Sequence, residues 1–526
     1  MDNDSTMASS PYASSSMDDA PSTYSIIGPS RFGYYVAVGV IVLCAWLLQP
    51  SQHNSKLAVP FYKASKRKWI FDAENLIRDS YAKFRDTLYQ IKATEGIQVL
   101  VPPKYIAELK SLPEDVLSAT EAVSDALQSK YTKFTPGHNG DLMNLVLRTR
   151  LTQNLANLSP QLRDELEYII DTEFPSCDDW TPVKWQPFGL RIVTRLSGRA
   201  FVGPAICRQD QWMDCSINFA VHVFMACIKL QFFPEWARPW GQYLVSDLGK
   251  IRRDIAKAKE LLKPVLSERL ELLRRQNNGS MISENPPNDM IQWLVEALPD
   301  NEKGDVQIQA ELQLIVAAAA IHTTNNLLFD CMFDLADDPQ LQEELRQEAY
   351  QILEEEDGWG KKESMSKLRK LDSFMGEVQR LRGNITGFIR KVMQPITLSD
   401  GTQLPSGTKI LAPLAGISQD ERLFPNPTTF DALRFYRMRQ ETPESNNRWQ
   451  FTSVGDNNIN FGAGRHACPG RFFASNEIKL IVAHFLLQYD IRLKPGAKRP
   501  KPMAMVMTKA PSPTAELEFK RRGCRT

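Results

Sequence analysis

The chain has 526 residues, of which 43% are hydrophobic and 24% are charged, a composition that supports a large core and excludes a wholly disordered protein. The 63 lysines and arginines nearly balance the 62 aspartates and glutamates, so the formal net charge is +1. This balance gives no field that would favour nucleic acid as a partner, and we expect none. The eight cysteines form no CxxC pair, which disfavours a disulfide framework or a zinc site and favours a reducing compartment.

The first 50 residues predict a tail followed by a membrane anchor. Residues 1–30 are rich in serine, aspartate and alanine, which predicts disorder. An uncharged run, FGYYVAVGVIVLCAWLL, then fills 32–48 and is just long enough for a membrane-spanning helix. We therefore assign a transmembrane anchor to 31–50. Acidic residues before the run disfavour a cleaved signal peptide, and a buried core helix is the remaining alternative.

The basic residues around the run predict its orientation. Five follow it and one precedes it: Lys56, Lys63, Lys66, Arg67 and Lys68 against Arg31. The positive-inside rule then places the folded part of the chain in the cytosol. In a eukaryotic cell this predicts a single-pass protein of the endoplasmic reticulum membrane.

Amphipathic helices dominate the predicted elements beyond residue 60. Apolar residues recur at helical spacing in four segments, 151–172, 240–276, 306–336 and 339–356. Strand-like stretches lie between glycine and proline turns at 98–101, 396–399 and 409–411. The predicted fold class is mainly α with a small β component.

An apolar and aromatic stretch, FAVHVFMACIKLQFFPEW, occupies 219–236. Two interpretations stay open for it. The stretch either roofs a binding pocket and dips into a membrane, or forms an ordinary pair of buried helices.

The helical segment 306–336 contains AAAAIHTTNNLLFD at 317–330. Its alanines leave space beside the helix for a flat group or a small molecule, and the Thr323 hydroxyl can accept and pass on protons. The alternative is an alanine-rich core helix whose threonines bond to the preceding turn. A lone histidine is usually a packed residue, so His322 stays outside the predicted catalytic set.

Residues 461–470, FGAGRHACPG, carry the strongest signal. Gly462 and Gly464 permit a tight turn and a close approach to a flat, bulky group. Cys468 is predicted where a helix begins, with Pro469 in the first helical position. Unpaired amides and the helix dipole favour thiolate over thiol there. A phosphate-binding loop is disfavoured because no strand precedes the glycines and no Lys-Ser/Thr pair follows.

Five positions of this loop, Phe461, Gly464, Arg465, Cys468 and Gly470, resemble the cysteine-loop signature of the cytochrome P450 superfamily. The resemblance implies that all five contact haem b as cofactor. Cys468 would be the thiolate ligand of its iron, and Arg465 would be a cation for a haem propionate.

The resemblance extends to charged residues upstream. Glu377 and Arg380 are three apart on one helix face, a spacing that alone predicts little. They match the superfamily's Glu-x-x-Arg helix, and FPNPTTFDALRF at 424–435 matches the segment whose arginine, here Arg434, joins them in a structural ion cluster behind the haem. Arg390 would be a second propionate-binding cation.

The alanine-rich helix then resembles the superfamily's oxygen-activating helix, with Thr323 delivering protons. Two positions depart from the pattern, because Ala320 replaces the usual glycine and His322 the usual acidic residue. The superfamily's Trp-x-x-x-Arg motif is not found near Arg148 and Arg150, so this propionate contact stays unassigned.

Together the motifs imply a haem-thiolate catalytic domain over 51–526 with the superfamily's mostly helical fold. The implied reaction is monooxygenation of an apolar substrate with O2 and electrons from NADPH. NADPH–cytochrome P450 reductase is the implied partner, because no flavin or nicotinamide domain is evident in the sequence. Three segments, RLTQNLANL (150–158), RLSGRAFVGPAICR (195–208) and AIHTT (320–324), resemble fungal enzymes similar to ent-kaurene oxidase. This resemblance implies a terpenoid or meroterpenoid substrate of secondary metabolism.

Two alternatives stay open for the function. One is a haem-thiolate isomerase or dehydratase that uses no external O2, against which the Thr323 hydroxyl argues. The other is a non-catalytic haem-binding protein.

Overall fold

The computed structural model describes residues 57–94, 96–278, 287–359, 361–506 and 508–523. The predicted tail at 1–30 and anchor at 31–50 lie outside these residues. Most of the described chain is helical and its strands are short, so the predicted fold class, mainly α with a small β component, is confirmed.

The helices fall into three groups along the chain. The first group is short: α1 (Lys66–Phe71), α2 (Ala73–Lys83), α3 (Ile106–Leu109), α4 (Ala119–Ala126), α5 (Ser129–Thr132) and α6 (Gly140–Val146). The second group contains the longest helices: α7 (Leu155–Glu173), α8 (Trp185–Phe201), α9 (Pro204–Cys207), α10 (Asp210–Gln231), α11 (Arg238–Gly241), α12 (Ser246–Asn277), α13 (Met290–Ala297) and α14 (Val306–Ala336). The third group is α15 (Pro339–Tyr350), α16 (Lys362–Lys367), α17 (Arg369–Arg382), α18 (Leu414–Ile417), α19 (Arg434–Met438), α20 (Ser445–Arg448) and α21 (Arg471–Gln488).

Helix α14 is the central element of the helical part. The side chain of Asp305 caps its first turn by accepting a hydrogen bond from the backbone amide of Gln307 at 2.7 Å. The helix packs against α8, α10, α12, α17 and α21. A helix that is apolar on most of its surface is stable only when it is buried, which explains why the predicted segment 306–336 forms this element at the predicted bounds.

Three predicted helices have different bounds in the structure. The predicted segment 151–172 corresponds to α7, which begins only at Leu155 and ends at Glu173. The segment 240–276 does not form one helix, because α11 ends at Gly241 and α12 begins only at Ser246. A Cβ at Gly241 would lie 2.6 Å from the Phe233 ring, so the glycine lets the chain turn closely over this ring. The segment 339–356 ends its α-helix at Tyr350 and continues as one π-helical turn.

The largest sheet has six strands in the order β1-β2-β3-β9-β6-β4. Its strands are β1 (Phe61–Tyr62), β2 (Tyr89–Ala93), β3 (Gly96–Leu100), β4 (Leu117–Ser118), β6 (Gly387–Val392) and β9 (Lys409–Ala412). β1 pairs with β2, and β3 with β9, in parallel, whereas the other pairs are antiparallel. The predicted strands at 98–101 and 409–411 are thus neighbours in this sheet.

The smaller sheets complete the fold. A three-stranded sheet has the order β10-β13-β5, and two hairpins are formed by β7 with β8 and by β11 with β12. Their strands are β5 (Thr181–Lys184), β7 (Ile396–Thr397), β8 (Gln403–Leu404), β10 (Tyr489–Arg492), β11 (Met503–Met505), β12 (Thr508–Ala510) and β13 (Glu516–Arg521). One large apolar cluster joins the long helices to the three-stranded sheet, and two smaller clusters pack around the six-stranded sheet.

Among the described residues, α10 and α14 are long and apolar enough to cross a membrane. Half of the most apolar window of α10 and 61% of that of α14 are buried within the fold. Core helices of soluble proteins share these properties, so the two helices by themselves are only weak evidence of a membrane span.

Candidate active site

The cysteine loop contains the predicted tight turn. Gly462 and Gly464 have φ angles of 77° and 62°, in the left-handed region that glycine adopts without steric cost. A Cβ at Gly464 would lie 2.5 Å from the carbonyl oxygen of Lys110. The protein's own backbone therefore lies close against this glycine, and the contact of Gly464 with a flat group stays a prediction. Gly470, by contrast, has open space around its Cβ position.

The thiol of Cys468 lies just before α21. The helix begins at Arg471 with Gly470 as its N-cap, two residues later than the prediction that put Pro469 in the first turn. The backbone amides of Gly470 and Arg471 act to lower the pKa of this thiol. Burial nevertheless dominates and raises the pKa of the Cys468 thiol above its ordinary value, while these amides and the charge of Arg471 oppose the rise. The predicted amide effect is therefore present, but burial outweighs it in the free thiol.

Arg390 is a buried cation with spare hydrogen-bonding capacity. Its Nη1 donates to the carbonyl oxygen of Ile389 at 2.8 Å, and its Nη2 has no hydrogen-bond partner within the described ranges. Burial, with a smaller contribution from the charge of Arg465, lowers the pKa of Arg390 to about 10 against the opposing effect of Glu114. A buried guanidinium with an unpaired nitrogen suits an anionic group such as a propionate.

Other basic side chains lie near Arg390. Arg465 is exposed, and its Nη2 donates to the carbonyl oxygen of Leu112 at 2.7 Å. The neighbouring His466 places Nε2 2.7 Å from Oε1 of Glu114, at an angle that does not suit a hydrogen bond. Burial lowers the pKa of His466, and so do the charges of Arg390, Arg465 and Arg148. Positive charge therefore accumulates beside the cysteine loop, as an acidic cofactor requires.

The middle of α14 has an open face. Ala319 and Thr323, one helical turn apart, are exposed although most of the helix is buried. The Thr323 hydroxyl donates to the carbonyl oxygen of Ala319 at 2.7 Å and lies 3.2 Å from that of Ala320. The contact to the preceding turn is the one expected for a core threonine. Thr323 is exposed, however, so its Oγ1 is free to accept a hydrogen bond from another group.

His322 faces a different side of α14. Its Nε2 lies 2.9 Å from the carbonyl oxygen of Ile217 in α10. Burial lowers the pKa of His322, and the contact with this carbonyl partly offsets the effect.

The structure brings Glu377, Arg380 and Arg434 together. Arg380 donates to both carboxylate oxygens of Glu377, at 2.8 and 2.7 Å. Arg434 Nε lies 3.2 and 3.1 Å from the same two oxygens, and the amide of Asp431 adds a contact at 3.0 Å. Glu377 is fully buried. This carboxylate is paired with two guanidinium groups and is closed to solvent, so no substrate can reach it. The cluster therefore has a structural role.

These residues fit a thiolate-ligated haem. Cys468 is the candidate iron ligand, and the orphaned Nη2 of Arg390 together with the cations around it suits the propionates. The Cβ position of Gly470 is open and Ala319 is exposed, so neither residue obstructs a bound group.

Three neighbouring residues were not predicted as part of the site: Arg148, His466 and Arg471. Arg471 donates to the carbonyl oxygen of Cys468 at 2.9 Å and to that of Thr452 at 3.1 Å. His466 and Arg471 flank the signature positions, so their place next to Cys468 was available from the sequence. Arg148 was not predicted, because the tryptophan expected four positions earlier is absent.

Glu477 is a buried acid in the middle of α21. Ser197 in α8 donates to its Oε1 at 3.0 Å, and no described residue contacts its Oε2 by a hydrogen bond. Burial raises the pKa of Glu477 to about 8, against the opposing effect of Ser197. The carboxyl group is therefore protonated in the folded protein at neutral pH.

Glu477→Gln should remove a pH dependence of stability. Between about pH 4.3 and pH 8 the folded protein holds a proton that the unfolded chain has released, so stability falls as pH rises. From pH 6 to pH 8 the wild type should lose about 2 kcal/mol through this group. Denaturant unfolding at both pH values measures the difference. Glu271→Gln, at an exposed site, should keep the wild-type slope. A Glu477→Gln slope equal to the wild type would refute this assignment.

Comparison with known proteins adds independent information. Residues 207–519 match the family model described as Cytochrome P450. The cytochrome P450 monooxygenase AN1598 of Emericella nidulans is 36% identical over 452 residues, which cover 85% of this chain and 83% of that protein. The cytochrome P450 monooxygenase braC of Annulohypoxylon truncatum is 35% identical over 494 residues, covering 92% and 95%.

A solved structure agrees with this fold. The retinoic acid-bound cyanobacterial CYP120A1 superposes with a TM-score of 0.66 at 17% identity, over 89% of this chain and 100% of that one. At this identity the likeness concerns the fold alone.

Proposed function

The chain belongs to the cytochrome P450 family and is a haem-thiolate monooxygenase, and from this premise we propose that it oxidises a terpenoid or meroterpenoid of fungal secondary metabolism. Electrons from NADPH would arrive through NADPH–cytochrome P450 reductase at the endoplasmic reticulum membrane. The observation that carries the proposal is the open face of α14, where Thr323 is exposed inside an otherwise buried helix.

Each site residue then has a proposed role. When bound, haem supplies the activation of O2 that no side chain provides. Cys468 holds the iron, and Arg390 and Arg465 neutralise the propionates. Phe461, Gly464 and Gly470 shape the loop around the thiolate. Gly464 does this by letting the loop lie against the Lys110 carbonyl.

Thr323 is the proposed proton-delivering residue. Its hydroxyl donates to the Ala319 carbonyl and can accept a further hydrogen bond at Oγ1, because a hydroxyl has two lone pairs. The small side chain of Ala319 keeps the neighbouring space open. This arrangement lets the hydroxyl relay a proton: it passes its own proton to the reacting molecule while Oγ1 takes a replacement from a solvent molecule hydrogen-bonded to it.

The proposed substrate class is supported by one of the three segments that resemble fungal terpenoid enzymes. The segment 320–324 lies at the open face of α14. By contrast, 195–208 belongs to α8 and α9, where the buried Arg195 donates to Glu165 at 2.6 Å and serves packing. An apolar substrate also agrees with the exposed Ile389 of β6 beside Arg390.

An apolar surface supports membrane association. Large exposed side chains follow one another from the end of α10 to the start of α12: Phe232, Trp236, Trp240, Tyr243 and Leu244. Tyr243, for example, is 83% exposed. Tryptophan and tyrosine favour the membrane interface, so this surface favours the first interpretation of 219–236, a segment that contacts lipid. The anchor at 31–50 stays a prediction that agrees with it.

Thr323→Ala should separate electron consumption from product formation. Purified enzyme with reductase, NADPH and labelled O2 is assayed over a terpenoid panel, and label in the product is compared with NADPH consumed. Without the hydroxyl, the product formed per NADPH should fall by about ten-fold or more, since positioned proton transfer contributes on the order of 10²–10⁴ in rate. Haem content should be unchanged.

Thr324→Ala is the matched control, because Thr324 is adjacent in sequence but buried. It should keep the wild-type product yield per NADPH. An unchanged yield in Thr323→Ala would contradict the proposed relay. An absence of labelled product from the whole panel in the wild type would contradict the substrate class.

A further inference from the structure

His322 connects the helix that carries Thr323 to a second helix. Its Nε2 lies 2.9 Å from the carbonyl oxygen of Ile217, near the centre of α10. A carbonyl oxygen only accepts hydrogen bonds, so Nε2 must carry the proton in this contact. The imidazole is neutral at physiological pH because burial lowers the pKa of His322. In that state Nδ1 bears no proton, and the ring has none to give to the active site.

The contact between His322 and the Ile217 carbonyl restrains α14 at a position next to its open face. His322 and Thr323 are consecutive, so their side chains are about 100° apart around the helix. A hydrogen bond from His322 to α10 therefore restrains both the rotation of α14 and its position along its axis at the residue next to Thr323. Packing between apolar helices alone restrains these movements less strictly, since such side chains repack with small shifts.

A second histidine joins helix α10 to α12. His222 Nδ1 lies 2.6 Å from Oδ2 of Asp254 in α12, and Cys215 Sγ lies 3.0 Å from the carbonyl oxygen of Asp254. α10 is thus attached to α12 through His222 and to α14 through His322. Only the second attachment reaches the helix that carries Thr323.

We propose that His322 is a positioning residue that sets the Thr323 hydroxyl by tying α14 to the Ile217 carbonyl of α10, and that it is not a proton donor. This inference rests on the proposed role of Thr323. It assigns a function to the residue that replaces the acidic side chain usual in the family, and that function needs only a neutral N–H donor.

His322→Phe and His322→Gln distinguish positioning from proton donation. Phenylalanine keeps a ring without a donor, so product per NADPH should fall about three- to ten-fold. Glutamine can donate to the same carbonyl, so it should keep the wild-type yield and the wild-type pH profile of that yield. Amide hydrogen exchange around residues 217–221, measured without turnover, should accelerate in the Phe variant and stay near wild type in the Gln variant.

His222→Phe is the matched control. It should accelerate exchange in α10 by breaking the attachment to α12 while leaving product per NADPH unchanged. An equal loss of yield in this control would overturn the proposal, because general loosening of α10 would then suffice. A Gln variant as defective as the Phe variant, with an altered pH profile, would also overturn it and make His322 a proton donor.

The two proposals fail in different ways. A wild-type yield of product per NADPH in Thr323→Ala would contradict the proposed relay. A wild-type yield in His322→Phe, together with a reduced yield in Thr323→Ala, would contradict only the positioning role proposed for His322.

Discussion

Glu377→Gln should destabilise the folded protein by about 3–5 kcal/mol, since breaking a buried ion pair leaves an uncompensated charge. Arg380 and Arg434 both donate to the Glu377 carboxylate, and all three side chains are buried. An amide at this position presents one acceptor and one donor to two guanidiniums, so at least one positive charge loses its counter-ion. Denaturant unfolding of the haem-loaded protein, followed by circular dichroism, measures the loss.

The exposed pair of Glu271 and Arg275 provides the control. It joins an acid and an arginine of one helix at 3.0 Å, with half or more of each side chain exposed. Glu271→Gln should cost less than about 1 kcal/mol, as exposed pairs do. Equal costs for the two variants would show that the Glu377 cluster does not stabilise the fold.

The comparison of these two pairs shows what sequence spacing can predict. Glu377 and Arg380 are three residues apart, and Glu271 and Arg275 are four apart, so both share a helix face. The two pairs differ in burial. The burial of the Glu377 pair depends on the segment that carries Arg434, 57 residues later in the chain, which packs against Glu377. The ion cluster was therefore predictable through the family resemblance and not through helix periodicity.

Helix α14 and the cysteine loop were predictable for local reasons. The long apolar segment of α14 has few ways to exclude water other than forming a buried helix, and the two glycines with positive φ specify the loop turn. The start of α21 was predicted two residues early, because Gly470 and not Cys468 takes the N-cap position.

The contacts that complete the site depend on distant parts of the chain. His322 meets a backbone carbonyl 105 residues earlier, and no side-chain pattern indicates a carbonyl partner. The strand that carries Arg390, β6, pairs irregularly with β9 between Gly387 and Arg390. Irregular pairing re-aims side chains in a way that strand periodicity does not predict.

Cys468→Ser should abolish the spectral signature of thiolate ligation. A serine hydroxyl is nearly isosteric but is not a thiolate donor to iron, so the electronic character of the haem must change. The conserved volume should leave the fold intact, which circular dichroism checks. Cys331→Ala is the control, because Cys331 is a fully buried cysteine of α14 remote in sequence from the loop.

The most direct test of haem-thiolate chemistry at Cys468 is the absorption spectrum of the reduced, carbon monoxide-bound protein. The wild type and Cys331→Ala should show a Soret band strongly red-shifted from that of histidine-ligated haem, and Cys468→Ser should lack it. A red-shifted band that persists in Cys468→Ser, or its absence from folded, haem-loaded wild type, would contradict the assignment of Cys468 as the iron ligand.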